Sequence, residues 1–216
     1  MRLLSLFSGT GAIERPFREA GWEVQSLDLD GRFGATIVAD ILTWDYSSEP
    51  PCDVLTAGVP CENYSIAHTR GVRKLSFADS LVRKTWEIIQ HFECLNPGML
   101  WWIENPDSSW LWKRKVSEPF PHRVRLDFCQ YGKHCQYRKR TKLATNALEY
   151  KPRALCNPKE CHACVDGKHI KTAQQGPGRG KSKANPTTDA APTSSTHTRR
   201  NSARNSSNTA AITFGP

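Results

Sequence analysis

Short apolar runs alternate with segments of helical periodicity along the first half of the chain. Five runs are bounded by glycine, proline or aspartate and are typical of buried strands: residues 3–7, 22–29, 36–39, 54–57 and 99–103. Apolar residues recur at helical spacing over residues 12–20 and 80–92, and Gly21 is placed to cap the first helix. This alternation predicts an α/β fold with a mostly parallel sheet and helices on both faces.

The pattern changes twice toward the C-terminus. Two more strands are predicted at residues 123–129 and 142–145, as an antiparallel hairpin around a basic loop at the sheet edge. Cysteines then cluster between Cys156 and Cys164, and from about Gln174 apolar residues almost disappear. Such a tail cannot bury enough surface to offset its ordering entropy. We therefore predict an α/β domain (1–149), a small basic Cys/His module (150–173) and a disordered basic tail rich in Ser, Thr, Asn and Pro (174–216).

The formal net charge of +9 is unevenly distributed. Residues 1–112 hold 9 Lys and Arg against 15 Asp and Glu, whereas residues 113–216 hold 21 against 6. A basic half of this density is suited to a phosphate backbone, and its binding would weaken steeply with salt. The alternative is a solvated basic tail that has no dedicated partner.

Targeting signals and cysteine usage place the protein inside a cell. No apolar run reaches the roughly 20 residues that a bilayer-spanning helix needs, so no membrane association is expected. The apolar run after Met1 is too short for a signal peptide. In a reducing compartment, 8 cysteines indicate catalysis or metal binding before disulfides. The compartment is then the cytoplasm of a prokaryotic host or, in a eukaryote, the nucleus.

Cys61 follows a predicted buried strand, a position at which a nucleophile could be held in a fixed orientation. The buried run 54–57 is stopped by Gly58-Val59-Pro60, directly before the cysteine. In open α/β sheets, ligands bind at the carboxyl ends of the strands. A thiol in a modestly electropositive setting there would be a competent nucleophile. The alternative is a structural cysteine after a turn.

A glycine turn and two aspartates indicate a site for an adenosine-containing cofactor. Gly9-Thr10-Gly11 separates the first strand from the first helix and would let the backbone approach a ligand closely. Asp28 and Asp40 end the next two strands, where they could accept hydrogen bonds from ribose hydroxyls and an adenine amine. The third glycine of a dinucleotide fingerprint is missing, which favours S-adenosylmethionine over a dinucleotide.

Four motifs then appear in the order and spacing of the cytosine-5 DNA methyltransferase family, which the chain resembles over most of residues 3–147. They are Phe7-Ser8-Gly9-Thr10-Gly11, Gly58-Val59-Pro60-Cys61, Glu104-Asn105 and Gln136-Tyr137-Arg138-Lys139-Arg140. The resemblance implies a Rossmann-like methyltransferase sheet, S-adenosylmethionine as cofactor, and methylation of carbon 5 of cytosine in DNA. Only 76 residues follow Arg140, a layout that resembles the shorter, phage-like and virus-like members. Target recognition would then depend on the basic loops or on a protein partner, and the chain is expected to be a monomer.

The resemblance also implies roles for individual residues. Cys61 would add as a thiolate to carbon 6 of a flipped-out or single-stranded cytosine, and Glu104 would bond its N3 and amine edge. Arg138 and Arg140 would project together toward the base carbonyl and a phosphate. The nucleic acid would be contacted by Ser65, Gln136 and Arg138. The cofactor would be bound by Phe7, Ser8, Gly9, Thr10, Gly11, Asp28, Leu29, Asp40, Ile41 and Pro60.

A second constellation, Cys156, Cys161, Cys164 and His169, has ligand types and spacing that can close a tetrahedral zinc site. His162 is an alternative ligand, and a thiol-rich loop without metal is the alternative interpretation. A bound metal would replace the hydrophobic core of so short a module.

Two other functions remain open at this stage. The same chemistry on RNA is the first, because a related branch of the family modifies tRNA. A catalytically inactive nucleic-acid-binding relative is the second: Glu62 replaces a neutral residue and would raise the pKa of the Cys61 thiol, and the C-terminal region is short. A dinucleotide-dependent oxidoreductase would leave the cysteine, Glu-Asn and Arg-x-Arg motifs unexplained.

Overall fold

The chain folds around one mixed sheet of seven strands. The structure is a computed structural model that describes residues 1–69, 71–120, 122–132, 137–172 and 176–177. The strands of the sheet are β1 (Arg2–Leu6), β2 (Glu23–Asp28), β3 (Ile37–Val38), β4 (Val54–Gly58), β5 (Leu100–Pro106), β6 (His122–Asp127) and β7 (Arg140–Thr145). They are ordered β3-β2-β1-β4-β5-β7-β6. Strands β1 to β5 are parallel, and β7 runs antiparallel to both β5 and β6.

Two helices cover opposite faces of this sheet: α1 (Glu14–Glu19) and α2 (Leu75–Leu95). Side chains alternate along β1, so Leu3 packs with Phe17 of α1, whereas Leu4 packs with Val82 of α2. Gly21, at φ +77°, ends the turn after α1 in the left-handed conformation that glycine tolerates. The α/β class, the Rossmann-like sheet with helices on both faces and the antiparallel hairpin at the edge are thus confirmed.

Helix α2 is longer than its periodicity predicts, and a side chain from another segment bonds the residue before it. It begins at Leu75, whereas the apolar spacing predicts a start at Ser80. The side chain of Asn63 accepts a hydrogen bond from the Lys74 backbone at 2.9 Å, immediately before the first helical residue. This contact satisfies an amide that would otherwise lack a partner at the helix start. Its donor and acceptor lie 11 residues apart, so a local sequence pattern does not show it.

The order of strands places the candidate site. The chain runs outward from β1 through β2 and β3, then crosses to β4 on the other side of β1. Neighbouring strand ends at such a reversal open a crevice at the carboxyl edge of the sheet. The glycine turn after β1 and the cysteine loop after β4 therefore lie at one edge.

A small segment follows the sheet. It contains the short strands β8 (Cys164–Val165), β9 (Lys168–His169), β10 (Lys171–Thr172) and β11 (Gly176–Pro177), paired as two antiparallel ribbons. Asp166 and Gly167 connect β8 to β9 with positive φ angles, as a tight hairpin turn requires. The predicted disordered tail lies outside the described residues, apart from β11. Within the described ranges, no helix combines the length and apolarity needed to span a membrane.

Candidate active site and Cys/His cluster

Cys61 lies beyond the carboxyl end of β4, where it opens the one-turn 3-10 helix Glu62–Tyr64. Tyr64 is fully buried and donates its hydroxyl hydrogen to the Asp79 carboxylate of α2 at 2.8 Å. Arg114 donates to both oxygens of the same carboxylate. The thiol therefore lies on a turn that is anchored by a buried polar network.

The end of β5 holds the cysteine loop from the other side. Glu104 pairs in register with Gly58, so its side chain is delivered next to the loop. Asn105 is completely buried and donates from Nδ2 to the Val59 carbonyl at 2.8 Å. This bond ties the backbone two residues before Cys61 to β5. Sequence analysis assigned a role to Glu104 alone, and the structure shows that its neighbour positions the loop.

The surroundings of Cys61 raise its pKa. Burial is the main cause, and the Glu104 carboxylate adds to it. Lys139 acts in the opposite direction, and Glu62 contributes a small further rise, as its position beside the cysteine predicts. The surroundings of Cys61 therefore do not supply the electropositive setting that would activate a thiol. A raised pKa disfavours the thiolate form of Cys61.

Glu104 is oriented by two residues of the opposite strand. Thr141 donates its hydroxyl hydrogen to Oε1 of Glu104 at 2.9 Å, and Lys139 Nζ lies 3.2 Å from the same oxygen. Thr141 and Lys139 are two residues apart in extended chain and so face the same side of the sheet. Sequence analysis missed Lys139. The available signal was that adjacent residues in an extended chain point to opposite faces, so Lys139 points to the face that Arg138 and Arg140 do not.

Arg138 and Arg140 do not reach this carboxylate. Arg140 forms a two-pronged ion pair with Asp127, with Nε–Oδ1 and Nη2–Oδ2 distances of 3.0 and 2.8 Å. Burial would raise the pKa of Asp127, but hydrogen bonds from Arg140 and from the Cys156 backbone hold it below its usual range. Arg138 is exposed. Arg140 therefore faces Asp127, which corrects its expected direction toward the base; Gln136 lies outside the described residues.

The turn after β1 has the backbone that a ligand cradle requires. Phe7, Gly9 and Gly11 have φ angles of +57°, +51° and +70°. A non-glycine residue with positive φ is uncommon and is concentrated at functional sites. Asp28 accepts a hydrogen bond from the Gly9 backbone at 2.8 Å and so supports the turn itself, while remaining partly exposed. Ser8 is also partly exposed.

Most other residues predicted at the cofactor are accessible, with one correction. Leu29 is 71% exposed and follows the end of β2. Thr10, Asp40 and Pro60 are exposed as well. Ile41 is only 3% exposed and belongs to the larger core cluster, so its side chain packs inside the protein and does not present a cofactor surface.

Glu14, which sequence analysis missed, adds a buried carboxylate to this turn. A Cβ at Gly11 would lie 2.8 Å from Glu14 Oε2, which shows how closely the carboxylate approaches the turn. Its Oε1 is buried without a hydrogen-bond partner among the described residues. Burial raises the pKa of Glu14, while a bond with Ser5 partly opposes the rise. A buried acceptor beside a glycine turn fits the cationic sulfonium and ammonium groups of S-adenosylmethionine.

Ser65 shapes the loop that follows Cys61. Its hydroxyl accepts a hydrogen bond from the Ala67 backbone at 3.1 Å, and its carbonyl accepts one from Arg73 at 2.7 Å. Arg73 also donates to the carbonyls of Asn63 and His68. The Arg73 guanidinium therefore binds three carbonyls of the segment that follows Cys61.

The cysteine and histidine side chains that lie close enough to share a metal ion differ from the predicted set by one residue. The donor atoms of Cys129, Cys156, Cys161 and His169 all lie within 4.8 Å of one another. Cys129 replaces Cys164 in this mutual set. Cys129 follows β6, 27 residues before the next ligand, so local spacing could not reveal it. We refer to these four residues as the Cys3His cluster.

Comparisons with known proteins return methyltransferases at low similarity. No protein-family model matches the chain, and no curated protein matches it either. Among solved structures, the Dnmt2 methyltransferase of S. pombe is 16% identical with a TM-score of 0.45, over 70% of this chain and 50% of that chain. The CcbJ methyltransferase of Streptomyces caelestis is 16% identical with a TM-score of 0.33, over 48% of this chain and 42% of that one. The chain thus spans about half the length of the solved structures it resembles, and the functional argument rests on its own residues.

Proposed function

We propose that this protein transfers a methyl group from S-adenosylmethionine to carbon 5 of cytosine in DNA, through a covalent adduct at Cys61. One observation carries the proposal. A cysteine on an anchored turn and a glutamate oriented by two bonds lie at neighbouring strand ends, beside a glycine turn that has a buried carboxylate. A nucleophile, a group for the base edge and a cradle for a cationic cofactor are thus adjacent.

The first step forms a bond from the Cys61 sulfur to carbon 6 of the cytosine. We assign Glu104 to accept the thiol proton and to pass a proton to N3 of the ring. Stabilising the charge that reaches N3 is the electrostatic contribution that this addition needs. Carbon 5 would then become nucleophilic and form a bond to the methyl carbon, while the bond from that carbon to the sulfonium sulfur breaks and the neutral thioether leaves. A solvent-derived base removes the carbon 5 proton, N3 returns its proton to Glu104, and the carbon–sulfur bond breaks with its electron pair on sulfur, so that Cys61 is regenerated.

Glu104 is supported for this task by its two neighbours on the opposite strand. Thr141 and Lys139 both engage Oε1, which orients the carboxylate and leaves Oε2 as the oxygen that we assign to N3. The Lys139 ammonium also lowers the pKa of Cys61 against the effects of burial and Glu104. We therefore assign Lys139 the role near the base that the sequence motif suggested for an arginine.

The turn after β1 would hold the cofactor, which supplies an electrophilic methyl group when bound. Gly9 and Gly11 let the backbone approach the ligand, and Glu14 offers a carboxylate to its positive charge. Leu29 offers an exposed apolar surface for an adenine ring. Asp28 remains partly exposed and is assigned to the ribose.

A nucleic acid is favoured as the substrate by charge and by the exposed arginine, and DNA is the nucleic acid that we propose. Arg138 is exposed directly before Lys139, where it can meet a phosphate beside the target base. The second half of the chain is strongly basic, as a polyanionic substrate requires. Carbon 6 is inaccessible in a stacked duplex, so the cytosine must be flipped out or unpaired.

The decisive experiment is methyl transfer from tritiated S-adenosylmethionine to mixed-sequence DNA, with digestion to nucleosides. We expect label in 5-methylcytosine with the wild type and with Cys94→Ala, which changes an exposed cysteine on α2. We expect no label with Cys61→Ala. A DNA containing 5-fluorocytosine should trap a covalent complex with the wild type only, since fluorine at carbon 5 blocks the final elimination.

Three results would contradict the proposal. Label that persists in Cys61→Ala would exclude this nucleophile. Label in tRNA but not in DNA would replace the substrate by RNA. Demonstrated binding of S-adenosylmethionine with no transfer to either nucleic acid would favour an inactive binding protein.

A further inference from the structure

The Cys3His cluster joins the catalytic sheet to the C-terminal module. Cys129 belongs to the 3-10 turn that follows β6, whereas Cys156, Cys161 and His169 belong to the segment beyond β7. Cys129 and Cys156 are buried, and the other two are partly buried. Apart from these cysteines, Ala163 is the one fully buried member of the small core they form. So small a hydrophobic core is not enough to stabilise the attachment of the module to the sheet.

The distances within the cluster match those of a tetrahedral metal site. His169 Nε2 lies 3.5 Å from Cys156 Sγ and 3.6 Å from Cys161 Sγ. Around a tetrahedral zinc, with metal–sulfur and metal–nitrogen bonds of about 2.3 and 2.0–2.1 Å, a sulfur and a nitrogen ligand lie about 3.5–3.6 Å apart. Three thiolates and one imidazole form a closed structural site for zinc, with no position left for a substrate.

Cys164 lies on the Nδ1 side of the His169 imidazole. Its sulfur is 3.4 Å from His169 Nδ1, while Nε2 faces Cys156 and Cys161. One metal ion cannot bind both ring nitrogens, so a hydrogen bond between Nδ1 and Cys164 would orient the ring as an outer partner. The hairpin between β8 and β9 pairs Cys164 directly with His169 and fixes this arrangement.

The cluster is connected to the candidate active site by a continuous set of contacts. The Cys156 backbone donates to Asp127 Oδ2 at 2.9 Å, and Asp127 holds Arg140. Arg140 opens β7 directly after Lys139, which lies 3.2 Å from the Glu104 carboxylate.

The module also holds both sides of the loop that leads to Lys139. Arg153 donates to the Gln130 carbonyl at 2.7 Å, at the start of this loop. Tyr137 forms a bridge with Lys171 at its end.

We propose that Cys129, Cys156, Cys161 and His169 bind one structural zinc ion, and that this ion fixes the module and thereby the position of Lys139 at the active site. The metal-binding part of the proposal is independent of the proposed reaction. Only its consequence for Lys139 rests on that reaction, and the two parts have separate tests.

The first test is the metal content of the full-length protein after purification without added metal, by mass spectrometry of the elements. We expect one zinc per chain in the wild type and in Cys94→Ser, and substoichiometric zinc in Cys129→Ser. The protein refolded with cobalt should give the visible spectrum of a tetrahedral site with thiolate ligands. This wild-type measurement decides the question even if the Cys129 variant fails to fold.

The second test separates the two possible ligand sets. We expect His169→Asn to lose zinc to a competing chelator, while His162→Asn, at an exposed position, behaves as the wild type. Cys164→Ser should retain one zinc with an affinity weakened about tenfold, the lower end for an outer-sphere partner. Loss of zinc from Cys164→Ser with full retention in His169→Asn would overturn our ligand set. Zinc-free wild type with a Cys129–Cys156 disulfide would overturn the metal site itself.

The third test addresses the consequence for the active site. Chelation should increase proteolytic cleavage between Gln130 and Lys139 while the sheet retains its circular dichroism. It should also slow alkylation of Cys61 at neutral pH, because a displaced Lys139 no longer lowers the pKa of the thiol. Unchanged cleavage and alkylation after zinc removal would refute the coupling and leave only a local metal site. Neither measurement requires methyl transfer, so a failure of the proposed reaction would be recognised separately.

Discussion

Asn105 provides the sharpest test of how the structure positions Cys61. Its buried Nδ2 donates to the Val59 carbonyl at 2.8 Å, just before Cys61. Asn105→Ala removes the donor and leaves a buried carbonyl without this partner, which costs about 1–3 kcal/mol. For a chain of this length, each kcal/mol lowers the melting temperature by about 2–4 °C, so we expect a decrease of roughly 2–12 °C.

Asn146 supplies a matched control at the opposite end of β5. Its Nδ2 donates to the Met99 carbonyl at 2.8 Å, and its Oδ1 accepts from the Trp101 backbone at 3.0 Å. Asn146→Ala should therefore destabilise the protein to a similar degree without moving the cysteine loop. If Asn105 acts only on stability, the two variants will be indistinguishable in every other measurement.

The assay combines thermal unfolding, single-turnover methyl transfer and alkylation of Cys61, all at a temperature where both variants are folded. We expect Asn105→Ala to lower the rate of methyl transfer and to alter the alkylation rate of Cys61. Asn146→Ala should leave both rates near those of the wild type. Equal losses of methyl transfer in the two variants, or an Asn105→Ala protein as stable as the wild type, would refute the reasoning.

Three further predictions follow from the pKa shifts and the backbone. Because the pKa of Cys61 is raised, its alkylation should be slow at pH 7 and should accelerate at alkaline pH. Glu104→Gln should speed alkylation at pH 7 and abolish methyl transfer. A pH profile of alkylation that is the same in Glu104→Gln as in the wild type would contradict the assigned electrostatics. Gly11→Ala should weaken S-adenosylmethionine binding at least tenfold in calorimetry, whereas Gly21→Ala, at a similar positive φ with no atom near its Cβ, should bind normally. Burial would raise the pKa of Asp79, but its bonds lower it, so the stability it contributes is present above pH about 4 and disappears as pH falls through its lowered pKa. The difference in unfolding free energy between wild type and Asp79→Asn should therefore shrink in acid. A difference that stays constant with pH would argue against a stabilising ion pair between Asp79 and Arg114.

The sequence alone was sufficient for the fold class and for locating the candidate residues at the strand ends. Short apolar runs and helical spacing predicted the parallel sheet, because side chains buried on both faces of a strand must be apolar wherever the chain enters the core. The edge hairpin followed from the same reasoning, and β6 and β7 lie where it was expected. Motif order then placed Cys61 and the glycine turn at the carboxyl edge, since parallel strands deliver their ends to one side.

Only the tertiary structure decided which side chains meet. Lys139, not its arginine neighbours, reaches Glu104, because the direction of each side chain depends on the exact residue at which β7 begins. Glu14 approaches the glycine turn, and Asn105 holds the cysteine loop, through contacts that join separate elements.

The Cys/His cluster shows the same division. Spacing within the module pointed to metal binding, because ligands close in sequence leave a visible pattern. The fourth member, Cys129, lies in the 3-10 turn after β6, and a local sequence pattern cannot reveal a ligand that is 27 residues away. The electrostatic setting of Cys61 was likewise decided by packing, since the pKa of a thiol depends on its burial and on charges from other strands. Periodicity and composition thus determined the elements and their order, whereas the chemistry at their ends was decided by the three-dimensional contacts.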